Sequence, residues 1–320
     1  MFALRQAHDQ REDTRVFPPP GRMVDIGGRQ LHANVMGSGT PAVVFQAGIA
    51  ATSISWIAVQ PKIAELTSTV SYDRAGLGWS DPARGHFDVE LLLTDFASLL
   101  ERLNPPQPYI LVGHSYGALL TRIYAERHPE KVAGMVLLDP VLACEWAHPA
   151  AHEKRLLAAA RILSSWGGFL ARFGVVRFAS APLLRGSTFV PRLISRASAG
   201  PAAVTVDRLT GEIRKLPKES WPIVRAHWCR PSNFRAMVRH LRNLPSSFAA
   251  LRNTKFDVPL VVISGANISP AGLAEHQAIA ALSSRGEHQV APAGGHWVHL
   301  DAPELVVDTI RRVLTYSLKT

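Results

Sequence analysis

One serine sits in a context built for nucleophilic chemistry. Gly113-His114-Ser115-Tyr116-Gly117 is a G-x-S-x-G pentapeptide. It follows the apolar run Tyr109-Ile110-Leu111-Val112 and opens the helical pattern Ala118-Leu119-Leu120-Thr121-Arg122-Ile123-Tyr124. A strand that turns sharply into a helix needs small residues on both sides of the turn, and the residue at its tip is held strained and exposed above the sheet. The helix N-terminus beneath it favours negative charge developing on a bound substrate. The competing reading is an ordinary buried turn serine, and the strand–turn–helix context favours the nucleophile. A serine hydroxyl is a poor nucleophile until a base takes its proton. Among 13 histidines, His296 follows Ala293-Gly294-Gly295, where glycines leave a loop free to bring an imidazole to the serine.

Positioning these groups requires a scaffold, and the chain supplies one by alternation. Residues 24–36 read as a hairpin with a Gly-Gly turn, Ala42–Ala47 as a buried strand and Thr69–Tyr72 as another. Ser53–Leu66 reads as a helix that Pro61 kinks or divides. Asp88–Leu103 carries a capping aspartate before apolar residues at helical spacing. Val132–Leu138 is a strand ending in Asp139-Pro140. The rhythm breaks over 141–255, which is helical in tendency, and resumes with strands at Val258–Ser264 and Glu287–Ala291, and helices at Gly272–Leu282 and Pro303–Ser317. Strands alternating with helices predict an α/β fold with a mostly parallel, doubly wound sheet. The expected organisation is an N-terminal arm at 1–21, loosely held; a sheet domain at 22–140 and 256–320; and a helical lid at 141–255 inserted into it.

The chain resembles the α/β-hydrolase superfamily. The G-x-S-x-G elbow is joined, in order, by Val43-Val44-Phe45-Gln46-Ala47-Gly48, similar to the strand and oxyanion loop. Tyr72-Asp73-Arg74-Ala75-Gly76-Leu77-Gly78-Trp79-Ser80 is similar to the D-x-R-G-x-G-x-S turn, and Gly294-Gly295-His296-Trp297 to the terminal G-H motif. The resemblance covers roughly residues 22–140 and 256–318, with the insertion unmatched in detail. It implies Ser115 as nucleophile and His296 as base, with His299 as a weaker competitor. It also implies an oxyanion hole from the backbone N–H groups of Ile49 and Tyr116. His114 is expected to pack beneath the turn, and Asp73 and Arg74 to tie loops together. The acid departs from the common pattern. In Gly265-Ala266-Asn267-Ile268 an isoleucine stands where the usual loop carries aspartate. A minority of the superfamily places the acid one strand earlier, where this chain has Asp139; Glu275 is the next candidate.

Composition bounds the rest. The chain has 320 residues, enough for one large domain with an insertion. Its two cysteines, Cys144 and Cys229, form no CxxC pair, and no His/Cys cluster has zinc spacing, so neither metal nor cofactor is expected. The opening residues contain no apolar core of a secretory signal and no run long enough to span a bilayer, so a cytoplasmic location is expected. Residues 145–255 hold 19 Lys and Arg against 5 Asp and Glu, whereas the remainder holds 16 and 20. That basic insertion suggests peripheral contact with an anionic membrane surface, against the plainer reading of a solvated arginine-rich face. Charge alone, without a recognised motif, does not make a nucleic-acid partner. Oligomeric state is open.

The expected function is a serine hydrolase acting on a small-molecule carboxylic ester or thioester with an apolar acyl group. Nucleophilic aspartate chemistry on the same fold would need an acid at position 115. Two alternatives stand beside it. An iminopeptidase-like peptidase would need an acidic cluster in the lid, which five acids among 19 bases disfavour. A non-hydrolytic binding protein or sensor would fit the missing aspartate of the usual loop.

Overall fold

The computed structural model describes residues 2–184 and 215–318. Eight strands form one sheet: β1 (Arg22–Asp25), β2 (Gln30–Met36), β3 (Ala42–Gln46), β4 (Thr69–Tyr72), β5 (Tyr109–His114), β6 (Val132–Leu138), β7 (Leu260–Ser264) and β8 (Gly286–Val290). Their order across the sheet is β1-β2-β4-β3-β5-β6-β7-β8. The β1/β2 and β2/β4 pairs are antiparallel and all others parallel. This is the mostly parallel α/β architecture expected from the sequence.

The central strands are apolar because helices cover both sheet faces. Every residue of β3, β5 and β7 is buried. Leu111, Met135, Leu137 and Val262 face one core, which takes in the helices Val89–Leu103 and Tyr116–Arg127. Ile110, Val112, Val136 and Ile263 face the other, closed by Val306, Val307 and Ile310 of the helix Pro303–Ser317. The first of these helices starts where expected: the Asp88 carboxylate accepts the Leu91 N–H at 2.9 Å. Pro61 does divide its segment. A short 3₁₀ turn, Ser53–Trp56, precedes a five-residue helix, Gln60–Ala64.

The inserted region is helical where described. The long helix Ala151–Arg172 packs along Pro231–Ser247, and Val175–Leu184 packs against Trp221–Trp228. Part of the expected lid, residues 185–214, lies outside the described residues.

The N-terminal segment differs from the loose arm expected. Phe2–Val16 is a helix. Gln6 and Gln10 donate to Cys229 O at 2.8 and 3.2 Å, and Arg177 binds the Asp13 carboxylate. Trp79 Nε1 donates to Phe17 O at 2.9 Å. The helix therefore bridges the insertion and the loop after β4. Its contacts are polar, and Gln6 is its only buried residue, so it has no apolar stripe by which a sequence reading could find it.

Candidate active site

The carboxyl ends of the parallel strands converge on one rim, where open α/β sheets bind ligands. Ser115 follows β5 directly and carries φ 54° and ψ −119°, a backbone conformation that L-residues seldom adopt. The helix Tyr116–Arg127 starts immediately after it. The flanking glycines are dictated by close approach. A Cβ on Gly113 would lie 2.6 Å from Ala118 Cα, and one on Gly117 would lie 2.2 Å from Gln46 O. Any larger residue at either position would push the turn off its seat.

His296 and Asp139 meet beside this turn. His296 Nδ1 lies 2.6 Å from Asp139 Oδ2. Since an ionised carboxylate only accepts, Nδ1 carries the proton and Nε2 is left as the acceptor. Asp139 sits one residue beyond β6 with φ 41°, another left-handed non-glycine position. Its other oxygen accepts the Gly265 N–H at 3.0 Å. Burial alone would raise its pKa, but the hydrogen bond and charge of His296, with the Gly265 N–H, outweigh it and hold the carboxyl below its usual range. The loop after β7, which lacks the usual aspartate, thus serves the Asp139 carboxylate with a backbone N–H.

Glu275 is committed elsewhere. Its two oxygens accept the N–H groups of Ala143 and Cys144 at 2.5 and 3.0 Å, capping the short helix Ala143–Trp146. His299 is fully buried, between the rings of Trp56 and His114, each 4.5 Å away. Neither of its ring nitrogens finds a partner among the described residues, and it is absent from the wall of the cavity that His296 lines. Burial lowers its pKa to about 3.

That cavity has a volume of about 580 Å³. Ser115, His296 and Asp139 line its floor with Gly48 and Ile49; Trp146, Leu156, Leu157, Leu241 and Leu244 form its apolar walls and roof. Ser115 Oγ and His296 share the cavity without a hydrogen bond between them. Such contacts commonly tighten only when substrate is engaged. Among the described residues, the backbone N–H groups of Ile49 and Tyr116 donate to no backbone acceptor.

Three further residues hold this arrangement; sequence reasoning gave His114 a packing role, Arg74 a loop tie and His276 no role. His114 Nε2 donates to His296 O at 2.8 Å, pinning the loop that carries the imidazole. Arg74 Nη1 donates to Ala47 O at 2.5 Å and Nη2 to Gly48 O, fixing the loop that presents the Ile49 N–H. His276 Nε2 donates to Pro140 O at 2.9 Å, and its Nδ1 meets Ser264 Oγ at 2.7 Å. Asp73 ties the neighbouring turns by accepting from Ser53 N and Trp79 N at 2.7 and 3.1 Å.

Residues 41–185 match the family described as alpha/beta hydrolase fold. A 2-hydroxy-6-oxo-2,4-heptadienoate hydrolase from Pseudomonas putida is 30% identical over 132 residues, 40% of this chain and 47% of that protein. The first curated relatives are matched over only 42%, 19% and 37% of their own lengths. A variant of a protein assigned as an epoxide hydrolase from Pseudomonas aeruginosa superposes with a TM-score of 0.67 at 21% identity, covering 93% of this chain and 96% of that one. A thermophilic esterase from Thermogutta terrifontis gives 0.63 at 20% identity, over 92% and 98%. Similar folds with different chemistries leave the reaction to be argued from the site. By its matched segment, its sheet order and the turn at Ser115, the chain has the α/β-hydrolase fold.

Proposed function

We propose that this protein is a serine hydrolase that cleaves carboxylic esters or thioesters through an acyl-serine intermediate. One observation carries the reading: a serine held at φ 54° on a strand-to-helix turn shares a cavity with a histidine whose Nδ1 is 2.6 Å from a carboxylate. In this reading Ser115 Oγ attacks the carbonyl carbon while His296 Nε2 takes its proton. Asp139 keeps the imidazole in the Nδ1–H tautomer and stabilises the imidazolium. The carbonyl oxygen gains charge between the N–H groups of Ile49 and Tyr116. Collapse of the tetrahedral intermediate breaks the bond to the alcohol or thiol, which leaves with the proton from His296. Water, deprotonated by the same histidine, then releases the acid and restores Ser115.

A nucleophilic carboxylate, as in dehalogenase-type chemistry on this fold, has no counterpart at position 115. The apolar walls favour an apolar acyl or alcohol group. A fluorophosphonate probe tests the reading, since only an activated serine reacts quickly. Rapid labelling lost in Ser115→Ala, with turnover of aryl esters that varies with acyl length, is expected. A folded protein that neither labels nor turns over any ester would favour a binding protein or sensor instead.

A further inference from the structure

The helix Ala151–Arg172 has two apolar faces, and only one has a use so far. Its inner face roofs the cavity through Leu156, Leu157 and Ala160. Its outer face presents Ile162, Leu163, Trp166, Phe169 and Leu170, with Phe173 at the cap. Ile162, Trp166 and Phe169 are 58%, 59% and 55% exposed. These residues are contiguous. The Trp166 and Phe169 rings lie 5.9 Å apart, and those of Phe169 and Phe173 5.1 Å. At 1.5 Å rise per residue the stripe runs about 16 Å. Scattered exposed apolar residues are ordinary, but a continuous aromatic stripe on one helix marks a surface that is covered in use.

Charge says by what. At helical spacing Lys154, Ser165 and Arg172 fall along one shoulder of the stripe and Arg155 continues it toward the N-terminus. The only acid of the helix, Glu153, lies on the opposite flank, largely buried and paired with His152. We propose that this face docks on the surface of an anionic lipid bilayer. The aromatic stripe would enter the headgroup–acyl boundary and the Lys and Arg shoulder would meet lipid phosphates. A second copy of the chain fits less well. Antiparallel pairing along the stripe would set Arg172 of one copy against Lys154 and Arg155 of the other, and parallel pairing would set each cation against its twin. The docking is peripheral, since no described helix is long and apolar enough to cross a membrane. It would bring the roof of the cavity to the membrane, and it does not depend on the reaction performed there.

Co-sedimentation with vesicles tests this without reference to catalysis. The full chain is mixed with vesicles of phosphatidylcholine alone, or with about one part in three phosphatidylglycerol. Binding is expected on the anionic vesicles and should be largely lost as the Debye length shortens from about 10 to 3 Å. Lys154→Gln and Arg172→Gln should each weaken it about fivefold. Trp166→Ser/Phe169→Ser should abolish it while the melting transition persists, as expected for exposed positions. Phe173→Ser, tested separately, should weaken it. Equal binding to neutral and anionic vesicles would overturn the proposal. So would undiminished binding by the double variant, or self-association of the parent that the double variant removes.

Discussion

Asp139 and His296 stand 157 residues apart in sequence, yet their side chains meet at 2.6 Å on the rim of one sheet. The contact exists because β6 and β7 are parallel neighbours. The residue after β6 therefore ends beside the loop after β7, and the loop after β8 reaches across both. Asp139 is further fixed by its own N–H, which donates to Ile263 O at 2.7 Å. Asp139→Asn should keep the fold but lower kcat by about 10³–10⁴, since an amide cannot hold the correct tautomer or stabilise an imidazolium. Ester hydrolysis at near-parent kcat in the folded variant would mean that another group acts as the acid.

The nucleophile and base make a sharper pair of tests. Ser115→Ala should remove ester hydrolysis, a loss on the order of 10⁴-fold or more in kcat. His296→Ala should do comparable damage. His299→Ala should cost stability, because it empties a fully buried site between Trp56 and His114, but far less kcat per folded molecule. Steady-state rates normalised to folded protein check this, and the reverse order of the two histidines would reassign the base.

Much of this site was legible in the sequence because its signals are local. Gly113 is required by a contact within the turn itself, at Ala118 Cα, and Gly117 by the approach of β3 at Gln46 O, and together they mark the pentapeptide in the sequence. The family resemblance points to Asp139, with Glu275 as the next candidate, because Ile268 occupies the usual place of the acid; the structure puts Asp139 beside His296. Other features depend on distant backbone, which no local pattern encodes. Arg74 was read as a loop tie, and its targets, Ala47 O and Gly48 O, make it a brace for the loop that carries Ile49. His276 sits in a helix whose pattern says nothing of Pro140 O, 136 residues away. The N-terminal helix was missed for the related reason that amides and carboxylates, not apolar residues, attach it.

Buried neutral histidines set the acid stability. His299 has its pKa lowered from 6.5 to about 3 by burial, with the charges of His296 and Lys215 adding to it. His227 is lowered to about 4, again chiefly by burial. The unfolded chain takes up these protons near pH 6.5, while the folded chain resists until the lower values. Below pH 6.5 the unfolded state therefore binds more protons, and stability falls by up to about 1.4 kcal/mol per pH unit for each group. The fall should level off for each histidine below its folded value. Melting temperatures between pH 7 and pH 4 should drop steeply, and His299→Leu should shallow that slope. An unchanged slope in the variant would show that His299 is not responsible.

Arg74 offers the most direct probe of the oxyanion loop. It is a buried cation whose guanidinium spans Ala47 O and Gly48 O and lies 5.9 Å from the Tyr116 ring centroid. By holding Gly48 O it fixes the Gly48–Ile49 peptide, which carries the Ile49 N–H used in the proposed mechanism. Arg74→Met would leave Ala47 O without its donor, at a cost of about 1–3 kcal/mol in stability, while Gly48 O would keep only the Ala51 N–H at 3.2 Å. The loop would then be free to turn the Ile49 N–H away. Because that N–H is needed most when the carbonyl oxygen becomes an oxyanion, the loss should fall on kcat, by about 10²-fold, with KM little changed. Arg74→Lys can satisfy only one of the two carbonyls with good geometry, so it should recover part of the rate. Kinetics measured well below the melting temperature of each variant separate this from simple destabilisation. Equal losses in kcat for Lys and Met, or a loss confined to KM, would show that Arg74 does not act through the oxyanion loop.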